Sequence, residues 1–198
     1  NARLVLRFDD GAGPDWYFFG GRMGTSPGGN GVLRLHETPG GHEWQAIDPP
    51  GSNSSTVLTS AVVFDDGSGP AIFACGAASR VLRFRGGAWT DVSQAGLSYR
   101  DVVVFDDGTG DRLYAMAWTG TTIAICRWSG TTWTDVSTPA SPVRSPTATK
   151  FHFVYDPVSD QLVRFGGESG GVLLDNTTWI WSRAQGWQAR TVPGPAAR

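Results

Sequence analysis

Three stretches of the chain set two adjacent carboxylates against glycines: Asp9–Asp10 in "FDDGAGP", Asp65–Asp66 in "FDDGSGP" and Asp106–Asp107 in "FDDGTGD". Acids with flexible glycines offer three chemistries. They can supply oxygen ligands to Ca²⁺, form an acid/base pair, or accept hydrogen bonds from the amides of a turn. The turn reading is adopted. Each stretch is too short to supply the six or more oxygens that calcium takes, and adjacent side chains at a strand end point to opposite faces. Repetition also suits a shared architectural task better than one active centre.

No other constellation assigns a catalytic residue, a metal or a cofactor. His36, His42 and His152 show no metal-ligand spacing and read as surface or polar core residues. Nucleophile-elbow, Walker and HExxH patterns are missing. The glycine-rich "GGRMGTSPGGNG" (20–31) lacks the helix that would make it a phosphate cradle. Cys75 and Cys126 sit in apolar runs as small hydrophobes, with a disulfide between them left open. The net charge of −2 excludes broad nucleic-acid binding, which relies on neutralising many phosphates. No apolar run is long enough for a membrane-spanning helix.

The elements that position the acids repeat. Aligning the aromatic residue before the first acid gives Phe8, Phe64, Phe105 and Tyr155, in steps of 56, 41 and 50 residues. Aligning a closing tryptophan gives Trp44, Trp89, Trp133 and Trp187, in steps of 45, 44 and 54. Two markers thus define four units, about 1–50, 57–95, 98–138 and 147–193, of one domain over 1–198. Each unit holds four short runs rich in Val, Ile, Phe, Tyr, Trp and Thr, separated by Gly, Asp, Asn or Pro. The first run is apolar nearly throughout, as expected of a strand covered on both faces; the fourth alternates with polar residues. The fold class expected is all-β, a β-propeller of four-stranded antiparallel blades with four blades in this chain. The blades either close a ring alone or form part of a larger one, for which a homodimer is one route.

The fourth unit, "VYDPVSDQLVRFGG" followed by "NTTWIWSRAQGW", resembles a kelch repeat, including Gly166–Gly167 and the spaced tryptophans. Units one to three are similar to related propeller repeats of secreted bacterial proteins. The resemblance covers essentially the whole chain and implies an extracytoplasmic or secreted protein. It implies architecture rather than activity, since kelch-like blades serve both enzymes and binding scaffolds. Galactose oxidase is the kelch-like enzyme to compare, and the three histidines here do not reproduce its copper site. The hairpin "SGTTWTDVS" is similar to the aspartate box of sialidases, without its Ser-x-Asp, and supports a propeller turn rather than a glycosidase.

Up-and-down connectivity places the acid turns on one side of a blade and the loops between strands two and three on the other. On that second side unit one carries the long loop 20–31 and unit four "GGESGGVLLDNTT" (166–178). Arg22, Asn30, Glu168, Asp175 and Asn176 offer polar contacts there. Five residues before the aligned aromatics stand Arg3, Thr59, Arg100 and Lys150. The three cations would ring a channel mouth, with Asp101 as a counter-charge. These cations and the five loop residues are the candidate ligand-binding set. The expected function is a non-catalytic binding scaffold for a protein surface or a glycan. The alternatives are a carbohydrate-active hydrolase or lyase with an inter-blade acidic cleft, and a structural subunit that assembles through blade edges.

Overall fold

The computed structural model describes residues 2–20, 31–51, 57–76, 79–121, 123–138, 152–165, 168–169, 172–173, 178–182 and 184–190. Strands and turns account for all their regular structure. The first sheet holds β1 (Leu4–Asp9), β2 (Pro14–Phe19), β3 (Val32–Thr38) and β4 (Gly41–Ala46). The second holds β5 (Leu58–Asp65), β6 (Pro70–Gly76), β7 (Val81–Arg85) and β8 (Ala88–Asp91). The third holds β9 (Ser98–Asp106), β10 (Asp111–Trp118), β11 (Ile123–Trp128) and β12 (Trp133–Asp135). In the fourth unit β13 (His152–Asp156) and β14 (Gln161–Phe165) precede a small hairpin, β15 (Glu168–Ser169) with β16 (Val172–Leu173). β17 (Thr178–Ser182) and β18 (Gly186–Arg190) then complete the fourth sheet.

Each four-stranded sheet is antiparallel and keeps its strands in chain order, the pattern of a propeller blade. Residues Asn1–Ser93 form one compact unit with the first two blades, and Gln94–Arg198 a second with the other two. In the first unit Phe8, Tyr17, Phe19 and Val32 of blade one pack on Ile72, Ala74, Leu82 and Phe84 of blade two. In the second unit Phe105, Tyr114, Met116 and Ile125 of blade three pack on Phe153, Leu162 and Trp187 of blade four. One face of each sheet is thereby removed from water, the main source of stability in such a fold. The expectation that first strands are covered on both faces holds for β9, where Val102, Val103 and Phe105 are all buried. It fails for β1, whose burial alternates, with Leu4, Leu6 and Phe8 turned to the core shared with blade two.

A short segment after the fourth strand recurs. The amides of Ile47, Val92 and Val136 bond the third-strand carbonyls of Val32, Val81 and Ile125 at 3.1, 3.0 and 2.8 Å. The next residue then turns back, so that Asp48, Ser93 and Ser137 accept from those same third-strand amides. Both cysteines are free and buried. Burial, with Asp135 nearby, pushes the Cys126 thiol up to about 12, far from a reactive thiolate.

Candidate functional site

The acid turns resolve into a repeated device. The first carboxylate of each pair bridges two glycine amides: Asp9 Oδ1 accepts from Gly11 and Gly13, Asp65 from Gly67 and Gly69, and Asp106 from Gly108 and Gly110, all at 2.8–3.0 Å. Those glycines have positive φ, from +91° to +112°, which explains the residue type. The second carboxylate reaches across the blade to an arginine of the third strand. Asp10 pairs with Arg34 at 3.4 Å, Asp66 with Arg83 at 3.2 Å and Asp107 with Arg127 at 3.3 Å. The turn reading is therefore the one the geometry bears out. Among the described residues no three His, Cys, Asp or Glu side chains gather as a metal would require.

Asp107 also accepts from the Tyr114 hydroxyl at 2.7 Å and from Thr109 Oγ1 at 2.6 Å. Burial by itself raises its pKa, but the bonds from Thr109, Tyr114 and Arg127 outweigh it and hold the carboxyl at about 2. A depressed folded value means that the unfolded chain takes up the proton first as pH falls. Stability from this group is complete above the ordinary value of 3.8 and disappears as pH drops toward 2. Urea midpoints measured between pH 5 and pH 2 should fall more steeply for the parent chain than for Asp107→Asn. Parallel curves would refute this assignment.

Blade one adds a feature that the repeat does not contain. Asp15, paired across the hairpin with Phe8, is 3% exposed, whereas Ala71 and Arg112 hold the matching places in blades two and three. Its carboxylate accepts from Arg34 Nε at 2.6 Å, from His36 Nδ1 at 2.9 Å and from the Glu37 amide at 3.2 Å, and also ion-pairs with Arg34 Nη2. The Arg34 guanidinium lies 5.9 Å over the Tyr17 ring. Burial alone would raise the pKa of Asp15, yet the bonds from His36, Arg34 and Glu37 hold the carboxyl below its usual range. An imidazole oriented through Nδ1 by a buried carboxylate is one half of an acid/base device. Glycoside hydrolysis needs two carboxylates facing across the scissile bond, and Asp15 is committed to internal donors.

The other face of blade one leaves large apolar side chains in water. Register aligns Arg7, Trp16, Leu35 and Trp44 in one row across all four strands. Val5, Phe18, Leu33 and Ala46 form the next row. Trp16, Trp44 and Val5 are 42, 55 and 43% exposed. Phe18 meets Trp44 edge-on at 5.0 Å, and the Arg7 guanidinium lies 5.8 Å over Trp16. The result is an apolar shelf with a cation at one margin, the composition of a recognition surface.

Three of the four closing tryptophans are engaged within their own compact unit. Trp89 donates Nε1–H to the Ile47 carbonyl at 2.5 Å, Trp133 is buried beside Trp128 and Tyr99, and Trp187 stacks on Phe153. Trp44 departs from them, and sequence alignment of the four hid the difference. The available signal was Trp16, which holds a second-strand place where blade two has Ile72.

The predicted ligand-binding residues fare unevenly. Arg3 is exposed, bonds the Phe19 carbonyl through its amide at 2.8 Å, and lays its aliphatic stem over Gly20. Arg100 is half-buried and is the extra residue of a β-bulge opposite Met116 and Ala117; Thr59 is the extra residue of the matching bulge in β5. Two of the positions aligned as a channel ring are thus strand bulges, which aim a side chain differently from its neighbours. Asp101 does structural work: its Oδ2 accepts from the Phe153 amide at 2.7 Å, tying β9 to β13. Glu168 belongs to the small hairpin in the loop of unit four. Arg22, Asn30, Lys150, Asp175 and Asn176 lie outside the described residues.

Neither a family model nor a curated protein matches the chain. Solved structures do match. A chain in the crystal structure of a nidogen/laminin complex is similar over 93% of this protein, at 16% identity and a TM-score of 0.52. A putative exo-beta-1,3-galactanase from Bifidobacterium bifidum s17 is similar over 94%, at 14% identity and the same TM-score. The match spans 62% of the first of those chains and 68% of the second. Likeness at this level shows the shared fold, a β-propeller architecture.

Proposed function

We propose that this chain is a non-catalytic interaction module of kelch-like propeller blades, probed by its partner at the open face of blade one. The single observation that carries this reading is the row Arg7, Trp16, Leu35 and Trp44, an aromatic surface left in water on a sheet whose other face is fully packed. Exposed aromatic surface is costly unless something covers it, and Trp and Arg dominate binding energy at protein interfaces. A protein surface is the partner class that fits best, because the shelf is apolar with an arginine over one of its tryptophans. A glycan that stacks on Trp16 and Trp44 is the second class. Loops 20–31 and 166–178 remain part of the proposal as margins of recognition, and an extracytoplasmic location goes with the likeness of the repeats to secreted propellers.

The test uses the apolar dye anilinonaphthalene sulfonate at low micromolar protein, beside a turnover assay on aryl glycosides. The parent should bind dye, and Trp16→Ala with Trp44→Ala should lower that binding at least about tenfold, the scale of a lost hot spot. A parent that takes up no dye, or that hydrolyses glycosides in a manner abolished by His36→Ala, overturns the reading.

A further inference from the structure

We propose that the outer edge of blade one pairs with the same edge of a second copy of this chain, β4 against β4, antiparallel. The inference goes beyond the recognition reading, because backbone groups at the rim of the sheet make the contact and the apolar shelf stays open. Hydrogen-bond parity in β4 identifies those groups. The Ile47 amide bonds the Val32 carbonyl, so the alternate residues Gly41, Glu43 and Gln45 turn their backbone groups toward β3. His42, Trp44 and Ala46 have the opposite parity and direct N–H and C=O away from the sheet. β4 is the last strand of its sheet, and all three of these residues are exposed. Propeller edges are ordinarily short or protected, because an unpaired strand is a template for another. The outer strands β8 and β12 are blunted by brevity, at four and three residues. β18 spans five and ends on the exposed charge of Arg190. β4 runs for six residues in unbroken register with β3 and holds neither proline nor lysine.

An edge of this kind accepts an extended strand, and β4 itself fits it. A two-fold axis centred on Trp44 sets Trp44 opposite Trp44 of the second copy, His42 opposite Ala46, and Glu43 opposite Gln45. This register lets His42, Trp44 and Ala46 of each copy satisfy one another. It also matches aromatic with aromatic and opposes no like charges. Centring the axis on Glu43 instead would set two carboxylates face to face, which is unfavourable. A contact that uses the same patch on both copies is isologous and closes at a dimer. The axis runs through the plane of the joined sheet, so both shelves lie on one side of it. Arg7, Trp16, Leu35 and Trp44 of each copy then form one continuous row with the two Trp44 side chains at its centre.

The experiment is sedimentation of the full chain from about 1 μM to about 1 mM, the span of ordinary association constants, with amide hydrogen exchange followed at both ends. The parent should form a dimer at the upper end. The amides of His42, Trp44 and Ala46 should exchange freely in dilute solution and gain protection as the dimer forms. Ala46→Pro removes an outward donor at an edge position, where proline is tolerated. Symmetry costs the dimer that bond twice, so association should weaken at least about tenfold. Gln45→Glu sets a second carboxylate against Glu43 and should weaken association about threefold, whereas Gln45→Lys should strengthen it by a similar factor. Both effects should fade at about 1 M salt. Near-ultraviolet dichroism should stay native throughout, and opposite signs at Gln45 separate strand pairing from misfolding. A parent that stays monomeric, a dimer that protects none of the three amides, or Gln45 variants that shift association alike overturns the proposal. A monomer that binds dye through Trp16 and Trp44 sinks edge pairing and leaves the interaction module standing. A dimer with protected amides that takes up no dye upholds edge pairing and sinks the module.

Discussion

Asp15→Ala is expected to lower unfolding stability by about 3 kcal/mol, the lower end of what breaking a buried ion pair costs. The carboxylate is nearly inaccessible and satisfies Arg34, His36 and the Glu37 amide together. Its removal leaves the Arg34 guanidinium, itself 12% exposed, with Asp10 at 3.4 Å as its remaining carboxylate. That residual pair is why the lower end of the range is chosen. Asp15→Asn keeps the shape and one acceptor, so it should fall between alanine and the parent. The double variant Asp15→Ala with Arg34→Met should cost less than the two single changes added together, since it removes both charges. Blade two already shows that alanine fits this place, as Ala71. Because the folded-state pKa of Asp15 is depressed, the difference between parent and Asp15→Asn should shrink as pH falls through the acidic range. Urea unfolding at pH 7 and pH 3 checks both statements. A loss under about 1 kcal/mol for Asp15→Ala would mean that the cluster is solvated rather than buried.

Repetition made the blades legible. Phe8, Phe64, Phe105 and Tyr155 stand next to last in their first strands, and the acid turns follow them because Asp and Gly meet the backbone needs of that hairpin. The same repetition hid the distinctive surface. Trp44 and Trp89 align in sequence, and only their surroundings separate one in water from one bonded to Ile47. Asp15 escaped notice because "GPDW" reads as part of a turn, while its burial depends on Arg34 and His36, which lie 19 and 21 residues further on. The bulges at Thr59 and Arg100 were equally opaque, since an extra residue shows only in the pairing register. Local patterns specify strands and turns; partners distant in the chain decide which residues face water.

Gly76→Ala should match Asp15→Ala in severity, at about 3 kcal/mol, for a steric reason. A Cβ on Gly76 would sit 2.1 Å from the Val57 carbonyl oxygen, 2.8 Å from the Thr59 amide nitrogen and 3.0 Å from Leu58 Cα. All three are backbone atoms, so no rotamer change relieves the clash and the start of β5 must move. That movement would carry Leu58, buried at 1%, out of the core shared by blades one and two. Gly67→Ala is the control. Its Cβ meets nothing within 4 Å, and its φ of +91° costs only the usual strain of a left-handed residue, about 1 kcal/mol. Chemical denaturation of the two variants should therefore separate them by about 2 kcal/mol, with Gly76→Ala also losing near-ultraviolet signal from the aromatic core. Equal midpoints would refute the steric account. The third blade narrows the cause further, because Ala117 stands beside the matching bulge opposite Tyr99 and is accommodated there, fully buried. The bulge alone accepts a Cβ; the approach of the Val57 carbonyl is what demands glycine in blade two.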